Sequence, residues 1–473
     1  MGKRGDEARG RITRSTTVPC WTEQPEVQRR EWAVIDEFTL SVYLLWVLQD
    51  GVFRMNEGQG TSWIHADAGL CVGGGQVGAF STGRQQSAPE RDGVTHATHA
   101  RPLHVGIDAT GLGRFKTGTA VYTLEILRIW NADKALDARF DLFLSPKTRM
   151  FFDELGLDER FTYHFAPNHR GLRSLWQHIV LPLKLRHLHC DVLWGVTFIV
   201  PAFAPCPSVV TVHDMTHQTM PAVHERLKRW YLRMAVGWAL RKAYTILAVS
   251  AATRADIERL FPAVTSKIQV TLLAARWFPE ESRMTPSQPS GPYVLAIGTL
   301  EPRKNIHRLL AAWRELDPAV RGRVRLCIAG CEGWMMGGLG SVETQEDAGI
   351  EFLGYIEEAQ LRTLLAGALF LAYPSLYEGF GLPVIEAMSL GVPVLTSAVG
   401  ATAEVAGNAA CLVDPWSTPS VRQGLMRLLQ DAAWREDLSA RGRLHAGKFS
   451  WEHTAGETFR AISRAGIINA GAP

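Results

Sequence analysis

The stretch Tyr373-Pro374-Ser375-Leu376-Tyr377-Glu378-Gly379-Phe380-Gly381-Leu382-Pro383-Val384-Ile385-Glu386-Ala387 decides the reading of the chain. It starts at the end of an apolar run, Leu369-Phe-Leu-Ala-Tyr373, that reads as a buried strand. It then passes through a loop with two glycines and enters a helix at Pro383. Proline is tolerated at the first helical position, where its missing N–H would be unpaired anyway. Gly391 and Pro393 close that helix. Strand, glycine loop and helix in this order place the amides of Gly379, Phe380, Gly381 and Leu382 at a helix N-terminus, a ready anion site. Glu378 stands just before it and Glu386 one turn inside. An acid in a helix's first turn is often a mere dipole partner. Two carboxylates bracketing an anion-binding loop would instead repel the anion unless they hold hydroxyls, and a sugar and a ribose supply hydroxyls.

Working outward, the same strand–loop–helix punctuation recurs on both sides. Tyr293-Val-Leu-Ala-Ile297 leads into Gly298-Thr-Leu-Glu-Pro-Arg303-Lys304-Asn305 and a helix from Ile306. An adjacent Arg and Lys at the carboxyl end of a strand can neutralise a diphosphate through charge-assisted hydrogen bonds, or can be a solvated surface. Next to a nucleotide-type loop the first reading is preferred. Val324–Ala329, Leu369–Tyr373 and Val392–Thr396 read as further strands, and Glu358–Ala366 and Pro383–Leu390 as helices between them. Upstream, Leu103-His-Val-Gly-Ile-Asp108, Phe140–Leu144, Ser208-Val-Val-Thr-Val-His213 and Tyr244–Val249 alternate with helices over Ala120–Ile129 and His224–Lys242. Short β-branched strands alternating with helices predict parallel, doubly wound sheets with ligands at the carboxyl ends of the strands.

Residues 280–292 carry three Pro, three Ser and a Gly without apolar periodicity, which is the composition of a linker. Two domains follow: 102–285, and 291–448 with a helix over 449–470 appended. Residues 1–100 differ from both, being rich in Gly, Ser, Thr and Gln, and read as a poorly ordered extension. Within them Gly73, Gly75 and Gly78 fit G-x-G-x-x-G, but a polar tract follows Gly78 where a helix should open.

The charge balance, 50 basic against 47 acidic residues, argues against a nucleic-acid binder. Seven irregularly spaced cysteines suggest free thiols in a reducing compartment. Cys327 and Cys331 have no second pair to complete a zinc site. The apolar stretch Thr39–Leu48 is about ten residues, too short to span a bilayer. These features point to the cytoplasm, with any contact at the inner face of the plasma membrane peripheral.

Together these segments resemble the family 4 retaining glycosyltransferases, which include many bacterial mannosyl- and glucosyltransferases. The resemblance covers residues 102 to about 465, and its most specific parts are the Glu378/Glu386 pair and the G-T-x-x-P-R-K-N run. It implies a GT-B fold, in which two Rossmann-like domains face a cleft. It further implies that Glu378, with Gly379 and Phe380, contacts the donor sugar, and that Glu386 holds the ribose hydroxyls. Arg303 and Lys304, with Gly118, Gly381 and Leu382, would meet the diphosphate, and Tyr355 and Ile356 the base. Val210-Thr-Val-His213-Asp214 resembles the strand whose histidine lies near the reacting sugar, although a histidine and aspartate at a strand end can also be structural.

The implied reaction moves a hexose, with GDP-mannose as first guess, to a glycan or polyprenyl-diphosphate-linked acceptor in polysaccharide synthesis. Residues 102–470 contain no Asp-x-Asp, so no cofactor and no metal are expected. Two departures stand out. Thr117-Gly-Thr-Ala-Val-Tyr122 lacks the second glycine and the arginine of the usual T-G-x-G-R-Y. Ala403 replaces the usual proline before Glu404. The first keeps a non-catalytic sugar-nucleotide-binding subunit in view, and the fold alone admits an epimerase or hydrolase. Basic runs at Arg226–Arg233, interleaved with Trp230, Tyr231 and Trp238, and at Arg170–His189 read as solvated helix faces or as contacts to an anionic membrane. His187, His189 and Cys190 read as surface.

Overall fold

The computed structural model describes residues 101–220, 226–276, 291–330 and 349–470. The extension over 1–100, Cys331, most of the proline-rich linker and the side chains of Arg226 to Tyr231 lie outside the described residues. Residues 99–473 form one compact unit.

Seven strands make the first sheet: β1 (Leu103–Asp108), β2 (Ala138–Leu144), β3 (Phe161–Phe165), β4 (Val192–Gly195), β5 (Ser208–Val212), β6 (Thr245–Ala248) and β7 (Ile268–Val270). They lie in the order β3-β2-β1-β4-β5-β6-β7, every pair parallel. Alternation sorts their side chains. In β1, Leu103, Val105 and Ile107 enter one apolar layer, while His104, Gly106 and Asp108 face the other side.

The longer helices of this half are α1 (Gly118–Ala132), α2 (Arg170–Leu188), α3 (Arg226–Lys242) and α4 (Ala251–Leu260). The layer under α2 and α3 is built from Phe143, Trp176, Leu181, Leu185, Val210, Val236 and Leu240. Cys190 belongs to it as well, 6% exposed, which corrects the surface reading of that residue. The chain reverses through His189 in a left-handed conformation and turns the thiol back under the helix. His187 and His189 are exposed. Nearby, Asp141 accepts from His104 Nε2 at 2.5 Å and His164 Nε2 at 2.7 Å, so this buried carboxylate is fully paired.

The second sheet repeats the plan with β8 (Tyr293–Ile297), β9 (Arg325–Ala329), β10 (Ile350–Gly354), β11 (Phe370–Tyr373), β12 (Val394–Ser397) and β13 (Cys411–Val413), in the order β10-β9-β8-β11-β12-β13 and again all parallel. Its helices are α5 (Ile306–Arg314), α6 (Glu358–Ala366), α7 (Leu382–Ser389), α8 (Gly400–Ala406), α9 (Thr418–Gln430) and α10 (Ala432–Ala446). The last helix, α11 (Trp451–Ala470), returns to the first sheet. Trp130 Nε1 on α1 donates to the Ala455 carbonyl, and Asn469 Nδ2 reaches the Asp191 carbonyl.

Helix α7 begins at Leu382, with Gly381 at its cap, so Pro383 takes the second helical position and not the first. The shift costs nothing, since the first four amides of a helix all lack an internal acceptor. In each sheet the strand order reverses beside the first strand, at β1/β4 and at β8/β11. These are the crevices where doubly wound sheets bind ligands.

Candidate active site

Both motif loops leave the second sheet at its crevice, from neighbouring strands β8 and β11. The amide of Leu376 donates to the carbonyl of Arg303 at 2.7 Å, which ties the loops together. Asn305 explains the end of the Arg-Lys-Asn run. It is fully buried and left-handed (φ 60°), and its side-chain amide donates to the carbonyls of Pro374 (2.9 Å) and Pro415 (2.7 Å). The aliphatic stem of Lys304 lies on Gly298, whose φ of +139° suits only glycine.

The Glu378 carboxylate is the centre of what these loops hold. It accepts from Lys304 Nζ at 2.6 Å, Arg303 Nη1 at 2.8 Å and the Tyr373 hydroxyl at 2.9 Å, with 9% of its side chain exposed. Burial alone would raise its pKa. Lys304 and Arg303 outweigh burial and hold it at about 2, so the carboxylate is ionised at neutral pH. Burial, with Arg303 alongside, draws Lys304 below the ordinary lysine range, while Glu378 favours the ammonium. Arg303 Nε also donates to Glu301 at 2.8 Å. The cationic pair is thus matched by two carboxylates before any donor arrives, and any net positive potential must come from elsewhere.

Helix termini supply it. The N-terminus of α1 meets that of α7, since a Cβ on Gly118 would sit 3.3 Å from Leu382 Cδ1. The positive ends of two helices, one from each domain, therefore lie close together. Gly379 is pressed harder still, because a Cβ there would lie 1.5 Å from the His213 carbonyl oxygen. Its own carbonyl accepts from Ser250 Oγ (2.6 Å) and Thr253 Oγ1 (3.0 Å) at the start of α4. Beside it the Tyr377 hydroxyl accepts from the Met215 amide (3.0 Å) and donates to Asp256 (2.8 Å). Glu404, from α8, receives the amides of Ala251 (2.8 Å) and Ala252 (2.9 Å), capping α4 from across the cleft.

His213 directly follows β5, at this junction. Its Nε2 lies 2.9 Å from the Val196 carbonyl, which can only accept, so Nε2 carries the proton and Nδ1 is the acceptor. Burial lowers its pKa and favours the neutral ring. Tyr122 packs edge-on at 5.0 Å, and its hydroxyl lies 3.2 Å from Thr211 Oγ1 and 3.4 Å from Thr458 Oγ1. The tyrosine of the altered Thr117–Tyr122 segment is therefore a buried strut under the histidine.

The remaining assignments fall in different places. Glu386 is buried on α7, and its Oε1 is 2.5 Å from Arg276 Nε. Phe380 is 3% exposed and packs edge-on against Phe449, so its side chain is part of the core. Tyr355 is exposed and packs against Phe115, with ring centroids 5.3 Å apart, while Ile356 turns into the core. Sequence reasoning missed Glu301, Tyr373 and Arg276. The first two lay within quoted motifs, where a charge two residues from Arg303 and a hydroxyl at a strand end were available signals. Arg276 belongs to no motif.

The Glycosyltransferase Family 4 model matches residues 117–273, and the Glycosyl transferases group 1 model matches residues 278–445. The O-antigen chain mannosyltransferase B of Escherichia coli is 36% identical over 269 residues, 54% of this chain and 69% of that protein. The chain is a family 4 glycosyltransferase. The serotype-specific mannosyltransferase WbdA of Escherichia coli is 28% identical over 178 residues, 36% of this chain and 22% of that protein. Among solved structures, Anabaena HepE in complex with UDP and glucose (18% identity, TM-score 0.58) covers 76% of this chain and 100% of its own. WaaG, a glycosyltransferase involved in lipopolysaccharide biosynthesis (15% identity, TM-score 0.58), covers 76% and 99%. At such identities these two show the GT-B fold of the chain. Among the described residues of this family 4 glycosyltransferase, no helix is long and apolar enough to cross a membrane.

Proposed function

We propose that the enzyme moves mannose from GDP-mannose to a glycan or polyprenyl-diphosphate-linked acceptor, with retention and without a metal, at the cytoplasmic face of the plasma membrane. The observation that carries this reading is Glu378 gripped by both Arg303 and Lys304 beside two neighbouring helix N-termini. An arriving diphosphate competes for the two cations and takes the helix amides. Glu378 is then released toward the sugar, where it orients hydroxyls and stabilises positive charge at the anomeric carbon.

The bond from that carbon to the diphosphate oxygen breaks, and the acceptor hydroxyl bonds to the carbon on the face just vacated. The hydroxyl's proton passes to the departing phosphate. Nδ1 of His213 accepts a hydrogen bond from a sugar hydroxyl across the junction. Arg303, Lys304 and the two helix termini stabilise the leaving charge, which is the office a divalent metal fills at Asp-x-Asp sites.

Similarity to the two Escherichia coli mannosyltransferases, one of them of the O-antigen chain, supports mannose and a surface-polysaccharide product. Helix α2 supports the membrane location. Leu172, Ile179 and Leu183 are exposed along one of its faces, with Arg186 also exposed and Lys184 half-buried on the same helix. The test is a thermal-shift screen of GDP-, UDP- and ADP-sugars, followed by assignment of the product's anomeric configuration by NMR. A bound donor raises the apparent Tm by mass action. Failure of all three classes to bind, or an inverted product, would overturn the reading.

A further inference from the structure

Arg276 lies in the segment that leaves the first domain after β7, and 12% of its side chain is exposed. Its guanidinium spans two carboxylates of the second domain: Nε to Glu386 Oε1 at 2.5 Å, and Nη1 to Glu358 Oε1 at 3.0 Å. Glu358 opens α6, two residues after Ile356. The arginine therefore stands between the residues assigned to the ribose and those assigned to the base. Two neighbours from the first domain flank it there. Phe115 packs on Tyr355, and Lys116 Nζ lies 3.7 Å from Glu358 while bonding Glu154 at 2.6 Å.

Arg276 reaches Glu386 through Oε1. The arginine fixes the carboxylate through one oxygen and leaves the other aimed by that contact. Burial pushes Glu386 toward its protonated form, and Arg276 opposes it. The ionised form matters here because a proton on Oε2 would turn that oxygen from an acceptor into a donor toward one of the hydroxyls.

We infer that Arg276 is a positioning residue for donor recognition, clamping Glu386 so that its second oxygen meets the ribose hydroxyls of the nucleoside diphosphate. The inference rests on the ribose role proposed above for Glu386. Isothermal titration of the full chain with GDP, UDP and ADP identifies the tightest ligand, which is then compared with its 2′,3′-dideoxy counterpart. The wild-type protein is expected to prefer the ribonucleotide by about ten-fold or more, the worth of a charge-assisted hydrogen bond.

In Arg276→Gln that ratio should collapse to within about three-fold, while affinity for the dideoxy nucleotide is unchanged. A merely loosened domain contact would weaken both ligands alike and leave the ratio intact. Arg276→Lys, whose single ammonium cannot span two carboxylates, should keep only part of the ratio and serves if the glutamine variant fails to fold. A full wild-type ratio in either variant overturns the inference. A wild-type ratio near one defeats the ribose assignment of Glu386 itself, and the absence of binding by any nucleotide defeats the donor reading beneath it.

Discussion

Gly379→Ala is the sharpest test of the closed geometry, because its cost can be worked from one contact. The added methyl carbon would lie 1.5 Å from the His213 carbonyl oxygen, against the 3.0 Å below which such contacts essentially never fall. At least 1.5 Å of separation is needed along that line. The obstacle is backbone on both sides, so no side-chain rotation relieves it. The four hydrogen bonds around the glycine, from Ser250, Thr253, Met215 and to Asp256, are 2.6–3.0 Å long and cannot survive such a displacement.

Glu378 is the adjacent residue, and His213 is the residue displaced from it. A misplacement of about 1 Å at a reacting centre costs on the order of 100-fold. The expected loss in kcat/KM is therefore about 100-fold or more, roughly 3 kcal/mol of transition-state stabilisation. Opened groups return to water and are not left buried, so the sheets should persist and the Tm should fall by only several degrees. Release of nucleoside diphosphate in a coupled assay measures the rate. Gly447→Ala, whose new methyl would meet nothing nearer than 3.7 Å, is the control. If Gly379→Ala turned over within three-fold of wild type, the two loops would not meet during catalysis and the site as described would be wrong.

Other outcomes follow from the same cluster. Lys304→Ala and Glu378→Ala should each abolish transfer while far-UV circular dichroism stays native, and near-normal turnover by either purified variant refutes the assignment. Activity should persist in excess EDTA and gain nothing from Mn²⁺, whereas an Mn²⁺ requirement abolished by EDTA would return the leaving-group charge to a metal. Glu378 is depressed to about 2 from an ordinary value near 4.5. Its contribution to stability is therefore present above pH 4.5 and lost as the pH falls toward 2, by a few kcal/mol in total. Urea denaturation of wild type and Glu378→Gln should accordingly diverge at pH 6 and converge near pH 2, and a constant gap would show that the carboxylate's charge is not what the fold uses.

What the sequence made legible and what it hid divide along a physical line. Four strands of each sheet (β1, β2, β5 and β6; β8, β9, β11 and β12), the linker composition, and the glycine loop before α7 announce themselves through local rules of periodicity and backbone freedom, while the short strands β3, β4, β7, β10 and β13 do not. Arg303, Lys304 and Glu378, which the fold brings together, could be singled out because they sit at strand ends and in the loop before a helix, which local pattern locates. Contacts closed by the return of a distant segment were not legible. Arg276 is 110 residues from its partner Glu386, and Glu404 is 153 residues from the helix it caps.

The same limit explains the error at Cys190. Neighbouring histidines suggested a polar surface, and only the left-handed turn at His189 sends the thiol inward. The electrostatics moved furthest. Read along the chain, Arg303-Lys304 is a bare cationic pair. In the fold, Glu301 and Glu378 balance it, leaving the neighbouring termini of α1 and α7 as the net attraction for an anion. Donor binding on this plan is an exchange of partners more than a capture by surplus charge. It should therefore depend on salt less steeply than two exposed cations would, since charges buried beside their partners are poorly screened.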